Sequence, residues 1–187
     1  METIVYFVRH AESPFIKGME RTRGLSEKGI SDAIKIKTEL ENEEIDVFVS
    51  SPYERAIQTI KELADVHKKD IIIFEDLKER EVGMLSDTSF QDAKYILYKD
   101  RSYSFPDGES SIDAQERAIK VMEYLLSEYL NKKIVIGTHG DIMTLMLNYF
   151  NDDHGFEFWK STSMPDIYRL AFHGTELKTV SRVWRTS

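Results

Sequence analysis

The sequence predicts an α/β fold: a three-layer α/β/α sandwich with a mostly parallel central sheet and an antiparallel edge at the C-terminus. Short apolar runs rich in β-branched residues alternate with longer segments of helical periodicity, which is the pattern of a parallel sheet covered by helices. The runs are uninterrupted, as is typical of strands buried on both faces. The last two runs, 167–172 and 179–184, are joined by a turn at His173-Gly174 and are expected to pair antiparallel.

Length and composition restrict the possible classes of function. The 187 residues are expected to form a single domain, 1–187, with a small insertion or cap at about 84–110. The formal net charge of -8 argues against a nucleic-acid-binding protein, which needs a basic face. Because the chain has no cysteine, disulfides and thiolate metal sites are excluded. We find no membrane-spanning run and no signal peptide, so a cytoplasmic location is expected.

The first strand, predicted at 4–8, ends at Arg9-His10. Ligands of open α/β sheets bind in the crevice outside the carboxyl ends of the strands, where these two side chains are expected. The loop that follows, 12–24, is locally basic. Its Arg21 and Arg23 are further cations close enough to the end of the first strand to bind an anion there. Ser26 is then the predicted N-cap of a helix.

The second strand, predicted at 46–50, leads into a helix that carries an arginine in its first turn. Ser51 and Glu54 have the spacing of a capping box, and Pro52 falls at the expected first helical position. Arg55 then lies beside the amide donors at the positive end of the helix dipole, where a cation is disfavoured. An anion bound at this position would remove the conflict.

The third and fourth strands, predicted at 70–74 and 133–137, supply further polar groups. The charged loop after the third strand contains Glu79, a carboxyl group of the kind that can protonate a leaving oxygen. The fourth strand ends in Thr138-His139-Gly140, and Asp141 is expected to be the N-cap of the next helix, pointing away from the site. Between these strands, 84–108 is predicted to be an irregular or partly helical insertion that lies over the strand ends.

Together these strand ends have the chemistry of a phosphoryl-transfer site. Two arginines grip a tetrahedral dianion through paired planar donors. A neutral imidazole between them attacks phosphorus if its other ring nitrogen donates to a carbonyl group. A second histidine stabilises charge on the transferring phosphoryl group.

Four ordered motifs resemble those of the histidine phosphatase superfamily, the group that contains cofactor-dependent phosphoglycerate mutase. The motifs are Val8-Arg9-His10-Ala11-Glu12-Ser13, the run 50–59 around Arg55, the run 77–83 around Glu79, and Thr138-His139-Gly140. The resemblance implies that His10 is the phosphohistidine nucleophile and that Glu79 is the proton donor to the leaving group. It also implies a phosphate pocket made by Arg9, Arg55 and His139, with a hydroxyl contact from Ser13. We add Arg21 as a candidate phosphate ligand.

The chain departs from the family pattern at two positions near these motifs. Ala11 stands where the family usually has glycine, which adds a methyl group and keeps the backbone carbonyl. Ile16 stands where the family commonly has asparagine, so one phosphate ligand is missing. These departures bear on the identity of the substrate and leave the core chemistry unchanged.

The leading hypothesis is a metal-independent phosphomonoesterase that acts on a small phosphorylated substrate through phosphohistidine and needs no cofactor. The alternatives are a cofactor-dependent phosphoglycerate mutase and a non-catalytic module that binds a phosphorylated ligand. A metallohydrolase built on His10 and His139 is disfavoured because carboxylate ligands at a usable spacing are not evident. No nucleic acid or membrane partner is expected, and a homodimer is a possible assembly.

Overall fold

A six-stranded mixed sheet forms the centre of the protein. The computed structural model describes residues 2–185, so Met1, Thr186 and Ser187 of the expected domain lie outside the described residues. The strands are β1 (Thr3–Arg9), β2 (Val47–Ser50), β3 (Ile71–Ile73), β4 (Lys133–Thr138), β5 (Asp166–His173) and β6 (Glu176–Arg182). Their order in the sheet is β3-β2-β4-β1-β5-β6. The first four strands pair in parallel, and β5 pairs antiparallel with both β1 and β6.

Helices cover both faces of this sheet. They are α1 (Glu27–Leu40), α2 (Glu54–Val66), α3 (Phe90–Lys99), α4 (Ser111–Glu128), α5 (Gly140–Phe150) and α6 (Phe156–Ser161), with a 3-10 turn at Glu75–Leu77. Successive side chains of β1 point to opposite faces, so Phe7 packs with α4 and α5 while Tyr6 packs with α1 and α2. The predicted three-layer sandwich with an antiparallel C-terminal edge is confirmed.

The sequence predicted the N-terminus of the first helix correctly, but not that of the second. Ser26 is the N-cap of α1, as expected, and its hydroxyl accepts a hydrogen bond from the Gly29 amide. The capping box predicted at Ser51 and Glu54 was wrong, because α2 begins only at Glu54 and its N-cap is Tyr53. The Ser51 hydroxyl instead contacts a histidine 88 positions further along the chain, a long-range partner that local spacing does not reveal.

The segment between β3 and α4 is partly helical, as predicted. It contains α3, whose N-cap is Ser89. Ala93 and Leu97 of α3 form a small core with Phe105, separate from the two main cores. The segment lies beside α6 and contributes to the wall of a large cavity at the carboxyl ends of the parallel strands. Within residues 2–185, no helix has both the length and the apolar character needed to cross a membrane.

Candidate active site

A cavity of about 620 Å³ brings together most of the predicted site residues. Its wall includes the side chains predicted to bind phosphate or to react with it, namely Arg9, His10, Ser13, Arg55 and Glu79. His139 is fully buried beside it, with its ring centroid 5.2 Å from that of His10. Arg21 is not brought into this cavity, because its exposed guanidinium forms an ion pair with Glu75 at 2.6 Å.

His10 has the hydrogen bonds that a nucleophilic imidazole needs. Its Nδ1 lies 2.8 Å from the carbonyl oxygen of Ala11 and donates to it, which leaves the lone pair on Nε2. The Nε of Arg55 donates to this Nε2 at 3.3 Å, in agreement with that tautomer. Burial, followed by the positive charge of Arg55, lowers the pKa of His10 to about 3. The ring is therefore neutral at ordinary pH.

Arg55 is held from behind by the loop that follows β1. Its Nη1 donates to the backbone oxygen of Glu20 and its Nη2 to the Glu20 carboxylate, both at 2.6 Å. Arg23 donates to the same carboxylate and to the Ser13 hydroxyl. Partial burial opposes ionisation of Glu20, but the hydrogen bonds from Arg23 and Arg55 outweigh it and hold the pKa of Glu20 below its ordinary value. These contacts orient the Arg55 guanidinium so that its Nε faces His10.

Arg9 is fixed at the end of β1 and keeps a buried donor unused. Its Nη1 donates to the Thr162 hydroxyl at 2.7 Å and to the Ser163 carbonyl at 3.2 Å. The guanidinium lies so close to Gly140 that a Cβ there would stand 2.8 Å from the Arg9 Cζ, so a larger residue would displace it. Its Nε is buried and has no hydrogen-bond partner among residues 2–185. A buried donor of this kind suits an anionic oxygen.

His139 presents a second donor that the protein leaves unused. The Ser51 hydroxyl accepts from the Tyr53 amide, so its own proton is available to donate to His139 Nε2 at 2.6 Å. The ring proton is then on Nδ1, which is buried and lacks a partner in the described part of the chain. Burial, then the charges of His10 and the nearby arginines, lowers the pKa of His139 well below its ordinary value.

Glu79 is held at the N-terminus of α5. Its Oε1 accepts from the amides of Arg80 and Ile142, and its Oε2 accepts from the amide of Asp141, at distances of 2.8 to 3.1 Å. Amide donors at the start of the helix fix the orientation of this side chain. Oε2 has one such contact and Oε1 has two, so a lone pair of Oε2 remains for a ligand or a proton.

Asp141 has a different role from the one expected. The predicted N-cap was wrong, because His139 is the N-cap of α5 and Asp141 lies within its first turn. Its buried carboxylate accepts two hydrogen bonds from Arg80, at 2.8 and 2.9 Å, and further ones from Lys94 and Tyr98. Lys94 and Arg80 outweigh the effect of burial and hold the pKa of Asp141 well below its ordinary value. The partners come from distant parts of the sequence, so helix-start rules did not find them.

The two buried neutral histidines are expected to make the stability of the protein depend on pH. Unfolded histidine titrates near 6.5, whereas the pKa of folded His10 is about 3 and that of His139 is also lowered. Between these values the unfolded chain binds more protons than the folded protein. The histidines therefore make their full contribution to the free energy of unfolding above about pH 6.5, and this contribution falls as the pH is lowered towards 3. Each histidine contributes a slope of at most about 1.4 kcal/mol per pH unit.

Urea unfolding measured from about pH 7 to about pH 4, in a buffer free of phosphate, tests this expectation. Carboxylates also titrate in this range, so the informative comparison is with His10→Asn. The slope of the variant should be shallower by the contribution of one proton. An unchanged slope would show that His10 is not kept neutral by the fold.

Comparisons with known proteins show which proteins this chain is similar to. The model of the histidine phosphatase superfamily (branch 1) matches residues 5–184. Phosphoserine phosphatase 1 of Hydrogenobacter thermophilus is 28% identical over 145 residues, which is 71% of this chain and 68% of that protein. A mycobacterial glucosyl-3-phosphoglycerate phosphatase has a similar structure, with a TM-score of 0.76, 18% identity and 100% of both chains covered.

A phosphoserine phosphatase mutant from Entamoeba histolytica, solved in complex with phosphoserine, is similar to the same degree. Its TM-score is 0.76 at 18% identity, with 95% of this chain and 96% of that chain covered. At this identity the two structural similarities show the fold alone. The family match, which extends over nearly the whole chain, shows more: this protein belongs to the histidine phosphatase superfamily.

Proposed function

We propose that the protein is a metal-independent phosphomonoesterase that hydrolyses a small phosphorylated substrate through a phosphohistidine at His10. One observation supports this most directly. The neutral His10 lies in the cavity wall with Arg9 next to it and the His139 ring 5.2 Å from its own, and among the described residues the Arg9 Nε and the His139 Nδ1 are buried donors without a partner. A nucleophile next to preorganised donors is the arrangement that phosphoryl transfer requires.

In the first proposed step the phosphoryl group moves to the enzyme. Its oxygens accept hydrogen bonds from Arg9, Arg55 and His139, and His10 Nε2 attacks phosphorus. A phosphorus–nitrogen bond forms as the phosphorus–oxygen bond of the ester breaks. The protonated carboxyl of Glu79 gives its proton to the departing alkoxide, so the alcohol leaves neutral.

In the second step water takes the phosphoryl group from His10. Glu79, now a carboxylate, accepts a proton from the attacking water. The new phosphorus–oxygen bond forms as the phosphorus–nitrogen bond breaks, which returns the electron pair to Nε2. Inorganic phosphate leaves and Glu79 is again protonated for the next cycle.

The balance between phosphatase and mutase depends on whether the first product is held. A mutase must grip the carboxylate of phosphoglycerate while the phosphoryl group moves. The cations of the 84–108 segment are Lys94, Lys99 and Arg101, of which Lys94 pairs with Asp141. Lys99 and Arg101 line a separate cavity. This distribution, together with the relatives named as phosphatases, supports hydrolysis over mutase activity.

We therefore expect release of free phosphate with negligible conversion of 3-phosphoglycerate to 2-phosphoglycerate. Water should capture the phosphohistidine before a weakly held product can return. The test measures both products after priming with 2,3-bisphosphoglycerate. Mutase turnover faster than phosphate release would reverse the choice. A protein that binds phosphate esters but never turns them over would instead be a binding module.

Activity is also expected to survive exhaustive chelation. The arginines of the pocket supply the positive charge that a divalent ion would otherwise provide, and the neutral His139 adds a hydrogen-bond donor. Within residues 2–185 we find no group of three or more histidine, aspartate or glutamate side chains arranged to hold a metal. Rates before and after treatment with a chelator give the answer. Loss of activity that one added metal restores would favour a metallohydrolase.

A further inference from the structure

Part of the cavity wall is apolar. Its apolar side chains come from the loop after β1, from the segment around α3, and from α6 and the residues after it: Phe15, Val82, Leu85, Phe90, Trp159 and Met164. Phe15 is 78% exposed and Phe90 is 55% exposed. Large apolar side chains gathered on a concave surface are typical of a site that receives an apolar ligand.

Two cations on this wall, Lys94 and Arg80, already share one buried carboxylate. Lys94 lies near the rings of Phe90 and Trp159, with its Nζ 5.0 and 5.7 Å from their centroids. It reaches the wall but its ammonium group pairs with the buried carboxylate of Asp141, which Arg80 shares. A carboxylate or second phosphate of a substrate would have to compete with Asp141 for both cations.

The remaining charges on the wall disfavour a second anion. Glu81 and Asp107 line the same cavity, and both carry carboxylates. Arg23 and Arg55 also line it, but Glu20 is the partner of both, and the phosphoryl group is the expected ligand of Arg55. An anionic group on the alcohol part of a substrate would therefore meet carboxylates and apolar rings rather than an unpaired cation of the described residues.

We infer that the preferred substrate is the phosphate monoester of an uncharged, apolar alcohol whose organic part lies against Phe15, Phe90 and Trp159. This inference rests on the proposed phosphatase function and adds the chemical class of the leaving group. Asp141 is central to it, because its carboxylate prevents Lys94 and Arg80 from acting as a carboxylate clamp.

Three esters of primary alkyl alcohols test the inference on the unmodified protein: ethyl phosphate, hexyl phosphate and 6-(phosphonooxy)hexanoate. Their leaving oxygens have similar basicity, so differences in kcat/KM report contacts of the organic part. Burial of each methylene should raise kcat/KM up to about fourfold, so hexyl phosphate should exceed ethyl phosphate by at least about tenfold. The carboxylated ester should fall at least about tenfold below hexyl phosphate, because its terminal charge finds no partner.

Variants test whether the preference for hexyl over ethyl phosphate depends on the apolar wall. Trp159→Ala and Phe90→Ala should each reduce the preference for hexyl over ethyl phosphate by roughly fivefold to tenfold, because each removes apolar contact area. The conservative Trp159→Phe should keep most of the preference. Tyr124→Ala removes an exposed aromatic ring of α4 outside the cavity and should leave all rates unchanged.

Equal kcat/KM values for ethyl and hexyl phosphate would overturn the inference. A carboxylated ester that reacts as fast as hexyl phosphate would overturn it as well. Both results differ from failure of the proposed function, in which none of the three esters releases phosphate and the leaving-group preference has no basis.

Discussion

Replacement of His10 by alanine is expected to lower kcat by at least about 10⁴-fold, because it removes the atom that attacks phosphorus. The attacking lone pair is on Nε2 of His10, because Nδ1 donates its proton to the Ala11 carbonyl. The Arg55 Nε donates to this Nε2. His139 cannot replace it, because its Nε2 is occupied by Ser51. Brief exposure of the unmodified protein to a radiolabelled phosphate ester should leave a label that is lost in acid and stable in base.

The label and the turnover should disappear together in His10→Ala. His154→Ala is the matched control, since that histidine is only partly buried and lies outside the cavity. It should keep both the label and the rate. Thermal unfolding of each variant shows whether the protein is still folded. Turnover that persists in folded His10→Ala would contradict the phosphohistidine mechanism.

The fold could be predicted from the sequence because its strands have a simple pattern. The apolar runs around 4–8 and 133–137 became β1 and β4, which pair in parallel at the centre of the sheet. Polar residues at the carboxyl ends of parallel strands meet at one edge, so Arg9, His10 and His139 were expected together before any geometry was known. Local periodicity and strand order carry this information.

The contacts that tune the site depend on pairs far apart in the sequence, and local rules did not find them. Ser51 has the spacing of a helix cap, yet its hydroxyl orients His139. Asp141 lies close to the predicted start of a helix, yet its buried carboxylate forms ion pairs with Arg80 and Lys94. In both cases local spacing suggests a helix cap, whereas the distant partner that decides the role of the side chain is visible only in three dimensions.

Arg21 and Arg23 show the same limit within one loop. Both stand in the basic stretch after β1, and Arg21 was named as the candidate phosphate ligand although the sequence offered no reason to prefer it to Arg23. The structure pairs Arg21 with Glu75 at the surface. Arg23 lines the cavity and donates to the Ser13 hydroxyl at 2.7 Å. An irregular loop has no periodicity from which the direction of a side chain can be derived. Charge therefore identified the stretch but not which of its arginines lines the cavity.

Glu79→Gln is expected to slow the hydrolysis of alkyl phosphates by about 10²- to 10⁴-fold, the range typical of general acid catalysis. An alkoxide is a poor leaving group, so its departure depends on a proton delivered in the transition state. A p-nitrophenolate leaves without one, so the rate with p-nitrophenyl phosphate should fall less than about tenfold. The substitution keeps the size of the side chain, and its amide oxygen still accepts from the backbone amides at the start of α5.

The ratio of the two losses separates proton donation from a structural role. Glutamine cannot accept at both side-chain atoms, so one of the contacts from Arg80, Asp141 and Ile142 is lost and the loop can shift. Such a shift would slow both esters alike, whereas loss of a proton donor slows the alkyl ester selectively. Glu75→Gln is the matched control, because Glu75 belongs to the same charged loop and pairs with Arg21 outside the cavity. Its rates should stay within about twofold of the unmodified protein on both esters. Equal losses in Glu79→Gln would show that Glu79 positions the start of α5 and that another group protonates the leaving oxygen.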